Sequence, residues 1–224
     1  MAATNYTIRA REPSDIPATG ELLYRSKLSL TINRLLFKNW PNEEVQRKNY
    51  KSALENVDSS TVESLSVIDN ASGDVLGLLD IMRKRPATNI NQASTPVVEK
   101  DKGSAPLEGP DYFNPEVLSA VQTASMALDR VMEETDHIKL IYILVKPEHR
   151  SRGIGQRLME HMFTKAKSLG LPIALVTEPQ VYNFFIKQGF KDTKHVDLDL
   201  AECAPPYSGF GIFRLAGMVW YPSA

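Results

Sequence analysis

Only one cysteine, Cys203, stands in 224 residues. A lone cysteine cannot close a disulfide within its own chain, and it suits a reducing compartment. No apolar run reaches 18 residues, so no transmembrane helix is expected. The stretch Met1-Ala-Ala-Thr-Asn-Tyr6 has neither a basic n-region nor an apolar h-region. No signal peptide is therefore expected, and the expected location is the cytoplasm. A dominant charge is missing too: 26 Lys and Arg stand against 27 Asp and Glu, for a net charge of −1. Without a bulk basic field, neither nucleic acid nor an anionic membrane is expected as a partner. His137, His149, His161 and His195 show no metal-ligand spacing, so no metal is expected. No Gly-x-Ser-x-Gly occurs, which removes the nucleophile elbow of the serine hydrolases. No internal repeat is visible.

What is present fits one medium globular domain over 1–224, either a monomer or a homodimer. Hydrophobic residues make up 42% of the chain, enough for a full core. Tyr6 to Ala10 alternates as a strand. Ser14 or Asp15 offers a cap, with Pro17 in the first turn, for a helical region whose Leu22, Leu23, Ile32, Leu35 and Leu36 supply apolar faces. Asn42 caps a second helix. Ser64–Ile68 and Val75–Ile81 read as a hairpin around the turn Asp69-Asn-Ala-Ser-Gly-Asp74. The segment 84–113, with four prolines and little periodicity, is expected to be partly disordered, with a substrate-side flap as the alternative. Asn114-Pro115-Glu116 starts a helix with Leu118, Val121, Leu128, Val131 and Met132 on its apolar stripe. Ile138–Val145 is apolar enough to be a strand covered on both faces. A helix with Ile154, Leu158, Met162 and Ala166 at four-residue spacing follows and ends at Gly170. Ile173–Thr177, a helix opened by Pro179, and strands at Val196–Leu200 and Ile212–Trp220 complete the chain. The fold class is α/β with a mixed sheet (an α+β arrangement). A parallel pair joins Ile138–Val145 to Ile173–Thr177 through the intervening helix.

The densest stretch is Val145-Lys-Pro147-Glu-His-Arg150-Ser-Arg-Gly153-Ile-Gly155-Gln-Arg-Leu158. A strand runs into a basic, glycine-containing turn and then into a helix. A helix N-terminus presents free N–H groups and a partial charge of roughly +0.5, so this order builds a phosphate cradle. Gly153 and Gly155 keep side chains out of the way, and Arg150 and Arg152 are phosphate-donor types. The P-loop is excluded, because no Lys-Ser or Lys-Thr follows Gly155. The dinucleotide fingerprint is excluded, because Leu158 stands where its third glycine belongs.

The remaining pattern, Arg150-x-x-Gly153-x-Gly155 after a strand ending Val145-x-Pro147, resembles the coenzyme A pyrophosphate loop of the GCN5-related N-acetyltransferases (GNAT). The order of elements resembles that family along nearly the whole chain; the residues do so from Leu140 to Phe190 and in the opening strand and helix. Fungal small-molecule members are the nearest likeness. The resemblance implies an acyl-CoA N-acyltransferase fold of about six to seven strands, whose splayed central strands admit the pantetheine arm. It implies that acetyl-CoA is held by the backbone of Ile143, Leu144 and Val145, which pairs with pantetheine and polarises the thioester, and by Arg150, Ser151, Arg152, Gly153, Ile154, Gly155 and Gln156 around the pyrophosphate. The amides of Arg150 to Gly155 are the expected cradle. Arg152 is equally a surface charge or a contact for the 3′-phosphate end.

Gly189-Phe190 resembles the close of the family's last helix. The family places a tyrosine four residues before that glycine, as proton donor to the leaving thiolate. Phe185 stands there instead and is expected beside the thioester sulfur. Tyr182, about one turn away, is the candidate catalytic substitute and equally a packing residue. A glutamate that some members carry on the central strand is replaced by Lys139, so no general base is inherited. Glu178, Asp80, Tyr142 and His137 are candidates by residue type alone. The reading that follows is acetyl-CoA-dependent N-acetylation of a small-molecule amine by direct transfer. A catalytically weakened coenzyme A-binding protein is the alternative, and an interaction domain without coenzyme A leaves the loop unexplained.

Overall fold

The computed structural model describes residues 5–86 and 109–222. Most of the segment expected to be partly disordered, 87–108, lies outside the described residues. In chain order the elements are β1 (Tyr6–Ala10), α1 (Ile16–Lys27), α2 (Asn33–Leu36), α3 (Glu43–Glu55), β2 (Val62–Asp69), β3 (Val75–Lys84), α4 (Pro115–Asp129), β4 (His137–Val145), α5 (Ile154–Leu169), β5 (Ile173–Thr177), α6 (Tyr182–Lys187), β6 (Lys191–Asp199) and β7 (Ile212–Trp220). The strands form one mixed sheet in the order β1-β2-β3-β4-β5-β7-β6. Every pairing is antiparallel except β4–β5, the parallel pair that α5 connects.

One face of the sheet is covered by α5. Its stripe of Ile154, Leu158, Met159, Met162 and Ala166 is buried against Val67, Leu79, Ile138, Ile173 and Met218. Burial of each such Leu or Ile is worth about 1.5–3 kcal/mol, so this stripe fixes where α5 lies. Gly170 closes the helix at φ +65, a left-handed residue that a Cβ would strain. The other face carries α1 and α3, packed through Leu23, Tyr24, Tyr50 and Leu54, and α4, packed through Val117, Ala124 and Leu128 onto Phe213 and Leu215.

Several expectations shift. The N-terminal helical region resolves into two helices, and Asp15 does not cap α1 with its side chain. Instead its carboxylate accepts from Arg9 at 2.7 and 2.9 Å and from the Glu12 amide at 3.0 Å. Asn42 and Asn114 do cap, accepting from the amides of Val45 and Glu116. Val131 falls past the end of α4 and is exposed. α6 begins at Tyr182 rather than Pro179. β6 is longer than its apolar residues indicate, because it is an edge strand whose outer half is charged.

The central departure is at β4. It was expected to be covered on both faces, yet each residue from Ile141 to Val145 is only half-buried. The cause is topological. β4 and β5 pair at two rungs only, Ile138–Ile173 and Lys139–Ala174. On its other edge β4 carries one extra residue: Asp80 opposes Tyr142 and Ile81 opposes Leu140, which leaves Ile141 as a bulge. A bulge bends its strand and sharpens the local twist, and β4 leaves β5 at that point.

Candidate active site

The divergence of β4 from β5 makes a V-shaped fork whose closed end is the Lys139–Ala174 rung. Along one wall, Ile143, Leu144 and Val145 remain paired to Leu79, Leu78 and Gly77 of β3. Their opposite backbone edge has no strand partner. The bulge also sorts the side chains: Ile143 and Val145 join the core under α5, whereas Tyr142 and Leu144 join the cluster under α1 and α3.

At the open end, the chain leaves β4 through a short 3-10 turn, Pro147–His149, and enters α5. Arg150 Nε donates to the Val145 carbonyl at 3.2 Å, and the Arg150 amide donates to Pro147 O at 3.2 Å. Arg150 therefore ties the loop to its strand through its side chain, and its amide does not belong to the expected cradle. From the next residue the backbone is open. Ser151 and Gly153 take the left-handed conformation at φ 59 and 80, and Gly153 caps α5 with no side-chain bond. The first helical bond is Arg157 N–H to Gly153 O, at 3.0 Å. The six amides of Ser151, Arg152, Gly153, Ile154, Gly155 and Gln156 thus donate to no described residue. Free donors at a helix N-terminus have the chemistry that attracts an anion. The two glycines differ in role: Gly153 supplies the left-handed turn, whereas a Cβ on Gly155 would meet only Val145 Cγ2, at 3.8 Å.

The other candidates separate. Phe185 is buried in the core, edge-on to Phe190 at 5.5 Å. The Tyr182 hydroxyl donates to Asp192 of β6, and this bond raises its pKa and keeps the proton on oxygen. Lys139 is paired with Asp129 of α4. His137 is buried, with Nδ1 2.7 Å from Thr135 O. Asp80 is buried on the α1 side and paired with Arg11 at 2.7 Å; burial pushes its carboxyl up despite that cation. Tyr142 lies close by. Burial first, then Asp80 and Glu178, hold its hydroxyl protonated. Among the described residues no group of three or more His, Cys, Asp or Glu could hold a metal.

On the opposite wall of the fork stands Glu178, which the sequence offers as a candidate by residue type alone, without its partner. Glu178 follows β5 directly and accepts from Lys27 Nζ on Oε1 and from Gln180 Nε2 at 2.9 Å on Oε2. Lys27 ends α1, and its carbonyl accepts from the buried Asn33, whose Nδ2 also reaches Tyr50 Oη at 3.0 Å. Lys27 and Glu178 are 151 positions apart, so no local pattern announces the pair. A groove of about 720 Å³ lined by Tyr6, Glu63, Arg157, His161 and Lys165 lies away from the fork, between α5 and the β1 edge.

A strand fork with a free-amide helix start at its mouth is shaped for a phosphate-bearing ligand that reaches between two strands. Comparisons with known proteins bear on the class. Residues 119–192, from α4 through the loop and α5 into β6, match the family model described as an acetyltransferase (GNAT) domain. No curated protein matches the sequence. Solved structures share the fold at low identity. A histone acetyltransferase HPA2 and related acetyltransferase from Corynebacterium glutamicum has TM-score 0.57 and 15% identity, covering 99% of this chain and 98% of its own. A mosquito arylalkylamine N-acetyltransferase like 5b has TM-score 0.53 and 16% identity, covering 96% and 99%. Arabidopsis thaliana NAA60 in complex with a bisubstrate analogue has TM-score 0.51 and 12% identity, covering 97% and 99%.

Proposed function

We propose that this protein transfers an acetyl group from acetyl-CoA to the amine of a small molecule, directly, with both substrates bound together. The observation that carries the reading is the fork with six free amides at its mouth. The pyrophosphate takes the amides of Ser151 to Gln156. The pantetheine lies along the unpartnered edge of Ile143 to Val145, as a peptide adds to a sheet edge. The bound ammonium first gives up a proton to water; the neutral amine then attacks the thioester carbonyl, the C–N bond forms, the C–S bond breaks, and the thiolate leaves and takes up the proton that the nitrogen sheds, through water. Holding both reactants in one cleft supplies much of the acceleration, and backbone donors stabilise the developing oxyanion.

The neighbours' names range from histone to arylalkylamine acetylation, so the fold does not choose the acceptor. The acceptor side favours a small one. There residues 109–114 are fastened to 36–38: Phe37 and Phe113 form a β-bridge, Lys38 N–H donates to Tyr112 O at 2.9 Å, and Asn114 N–H donates to Leu36 O at 2.8 Å. That fastening holds Phe113 and Tyr112 in the cluster that Tyr142 and Leu144 join.

The first prediction tests the cradle. Gly155→Val folds, because its Cβ meets nothing closer than 3.8 Å. Its branches cover the free amides, and coenzyme A affinity measured by calorimetry falls roughly tenfold or more, the scale of one or two lost charge-assisted hydrogen bonds. Unchanged affinity in the folded variant removes the assignment. Coenzyme A binding without turnover across an amine panel would instead favour the catalytically weakened alternative.

A further inference from the structure

The pair Lys27–Glu178 crosses the mouth of the fork. α1, which ends at Lys27, packs on β3 and β4, whereas Glu178 lies four residues beyond the last β5 residue paired to β4. The cation therefore comes from the β4 side and the anion from the β5 side. Both lie on the face opposite α5: Lys27 belongs to α1, and the Glu178 charge acts on Tyr50 and Tyr142 of the cluster under α1 and α3. The pyrophosphate cradle belongs to the α5 N-terminus, so this face is left for the acceptor.

Neither group is fully sunk. The side chains are 21% and 25% exposed, so a ligand can reach the carboxylate. Near it stand the half-buried Tyr142 and the Tyr50 hydroxyl, which Asn33 holds. Nearby, Arg11 and Asp80 already neutralise each other at 2.7 Å. At the open end of the fork, Glu178 is thus a carboxylate whose partner is a flexible lysine rather than a buried arginine. A lysine ammonium on Glu178 occupies the place that another primary ammonium would fill.

We propose that the acceptor is a primary alkylamine recognised as its ammonium, with Glu178 as its binding residue and Lys27 as the internal cation that the acceptor displaces. This rests on the acetyl-transfer reading above. It makes Glu178 a determinant of acceptor affinity. It also makes Lys27 a competitor that favours amines able to replace it.

The test uses the full chain with acetyl-CoA, thiol release as readout, and phenethylamine, hexylamine and putrescine as acceptors. Aniline, which is uncharged near neutral pH, is the comparison. At least one alkylamine turns over better than aniline. Glu178→Gln raises its KM about ten- to hundredfold, as loss of a charge-assisted contact does, with kcat changed only severalfold. Lys27→Met lowers the KM for that amine. Coenzyme A affinity, read by calorimetry, stays at the wild-type value in both. Thermal melts are run alongside. If Glu178→Gln is unfolded, the double variant Lys27→Met/Glu178→Gln, which leaves neither charge unpaired, takes its place. An unchanged KM in the folded Glu178 variant overturns the proposal, as does aniline outpacing every alkylamine. Loss of coenzyme A binding by the wild type would overturn the acetyl-transfer reading instead.

Discussion

At the residue scale, Tyr182 shows how a side chain can resemble a catalytic group and be occupied elsewhere. Its hydroxyl is bonded to Asp192 on β6, while the helix position where the GNAT resemblance expects a tyrosine holds a buried phenylalanine. A thiol is a good leaving group near neutral pH, and water can complete the proton transfer. Tyr182→Phe is therefore expected to keep its turnover within severalfold, far from the roughly 10²–10⁴ that removing a general acid costs. A hundredfold loss of kcat in a folded variant with normal acetyl-CoA affinity would reinstate the tyrosine. The free amides of the proposed cradle were legible because they are consecutive: a strand, a glycine turn and a helix lie within fourteen positions, and backbone amides need no particular side chain. Glu178 was visible only as a carboxylate. Its meaning comes from Lys27, which the chain brings back across the sheet from the other end of the sequence. The free cradle also begins one residue later than the motif suggests, because Arg150 spends its amide on Pro147.

At the scale of elements, most strands and helices announced themselves through period and punctuation. β1, β5 and β7 match their expected limits, and α5 carries its apolar stripe at four-residue spacing. The bulge at Ile141 did not announce itself, because Leu140-Ile-Tyr-Ile143 reads as continuous apolar strand and one extra residue changes no composition. The positioning of β4 also depends on Gly77, which no motif marks. A Cβ there would meet the Leu144 carbonyl oxygen at 2.7 Å, a backbone atom that cannot rotate away. Gly77→Ala is expected to push β4 out of register with β3 just before the cradle. The cost is about 1–3 kcal/mol of stability, typical of overpacking, read by urea unfolding. Coenzyme A affinity should fall as well, because the displaced residues adjoin the loop. A variant with wild-type stability and affinity would show that β4 yields freely there.

At the scale of the whole molecule, the near-zero net charge conceals a surface of paired carboxylates. Burial pushes Asp15 and Glu63 up, but hydrogen bonds from Arg9 to the first, and from Lys165 and His161 to the second, more than offset it. Asp136 and Asp197 are held down by Arg83 and Arg214. All four therefore sit below their ordinary values of 3.8 for Asp and 4.5 for Glu. Such groups bind protons later in the folded than in the unfolded chain. Their stabilisation is complete above the unfolded values and is lost as pH falls through the folded ones. Asp80 acts in the opposite sense, since burial raises it, and its contribution declines as pH rises. With the depressed carboxylates in the majority, the melting temperature is expected to be flat near neutrality and to drop between about pH 4.5 and pH 3. A melting temperature that rises over that interval would mean that Asp80 dominates.

The two rungs at the base of the fork also have a mechanical consequence. Among the described residues, the strands of one half-sheet, β1 to β4, pair with those of the other, β5 to β7, at Ile138–Ile173 and Lys139–Ala174 only, while α5 packs across both halves. Rungs at one end of two diverging bars make a pivot. At about 3.3 Å per residue, Thr177 sits on a lever arm of roughly 10 Å from Ala174. A rotation of ~10° about the rungs therefore shifts the tip by about 2 Å, the girth of an extra methylene, while every helix stays folded. The gauge of the gap thus follows the angle between the two half-sheets, and Lys27 and Glu178 link them at its open end.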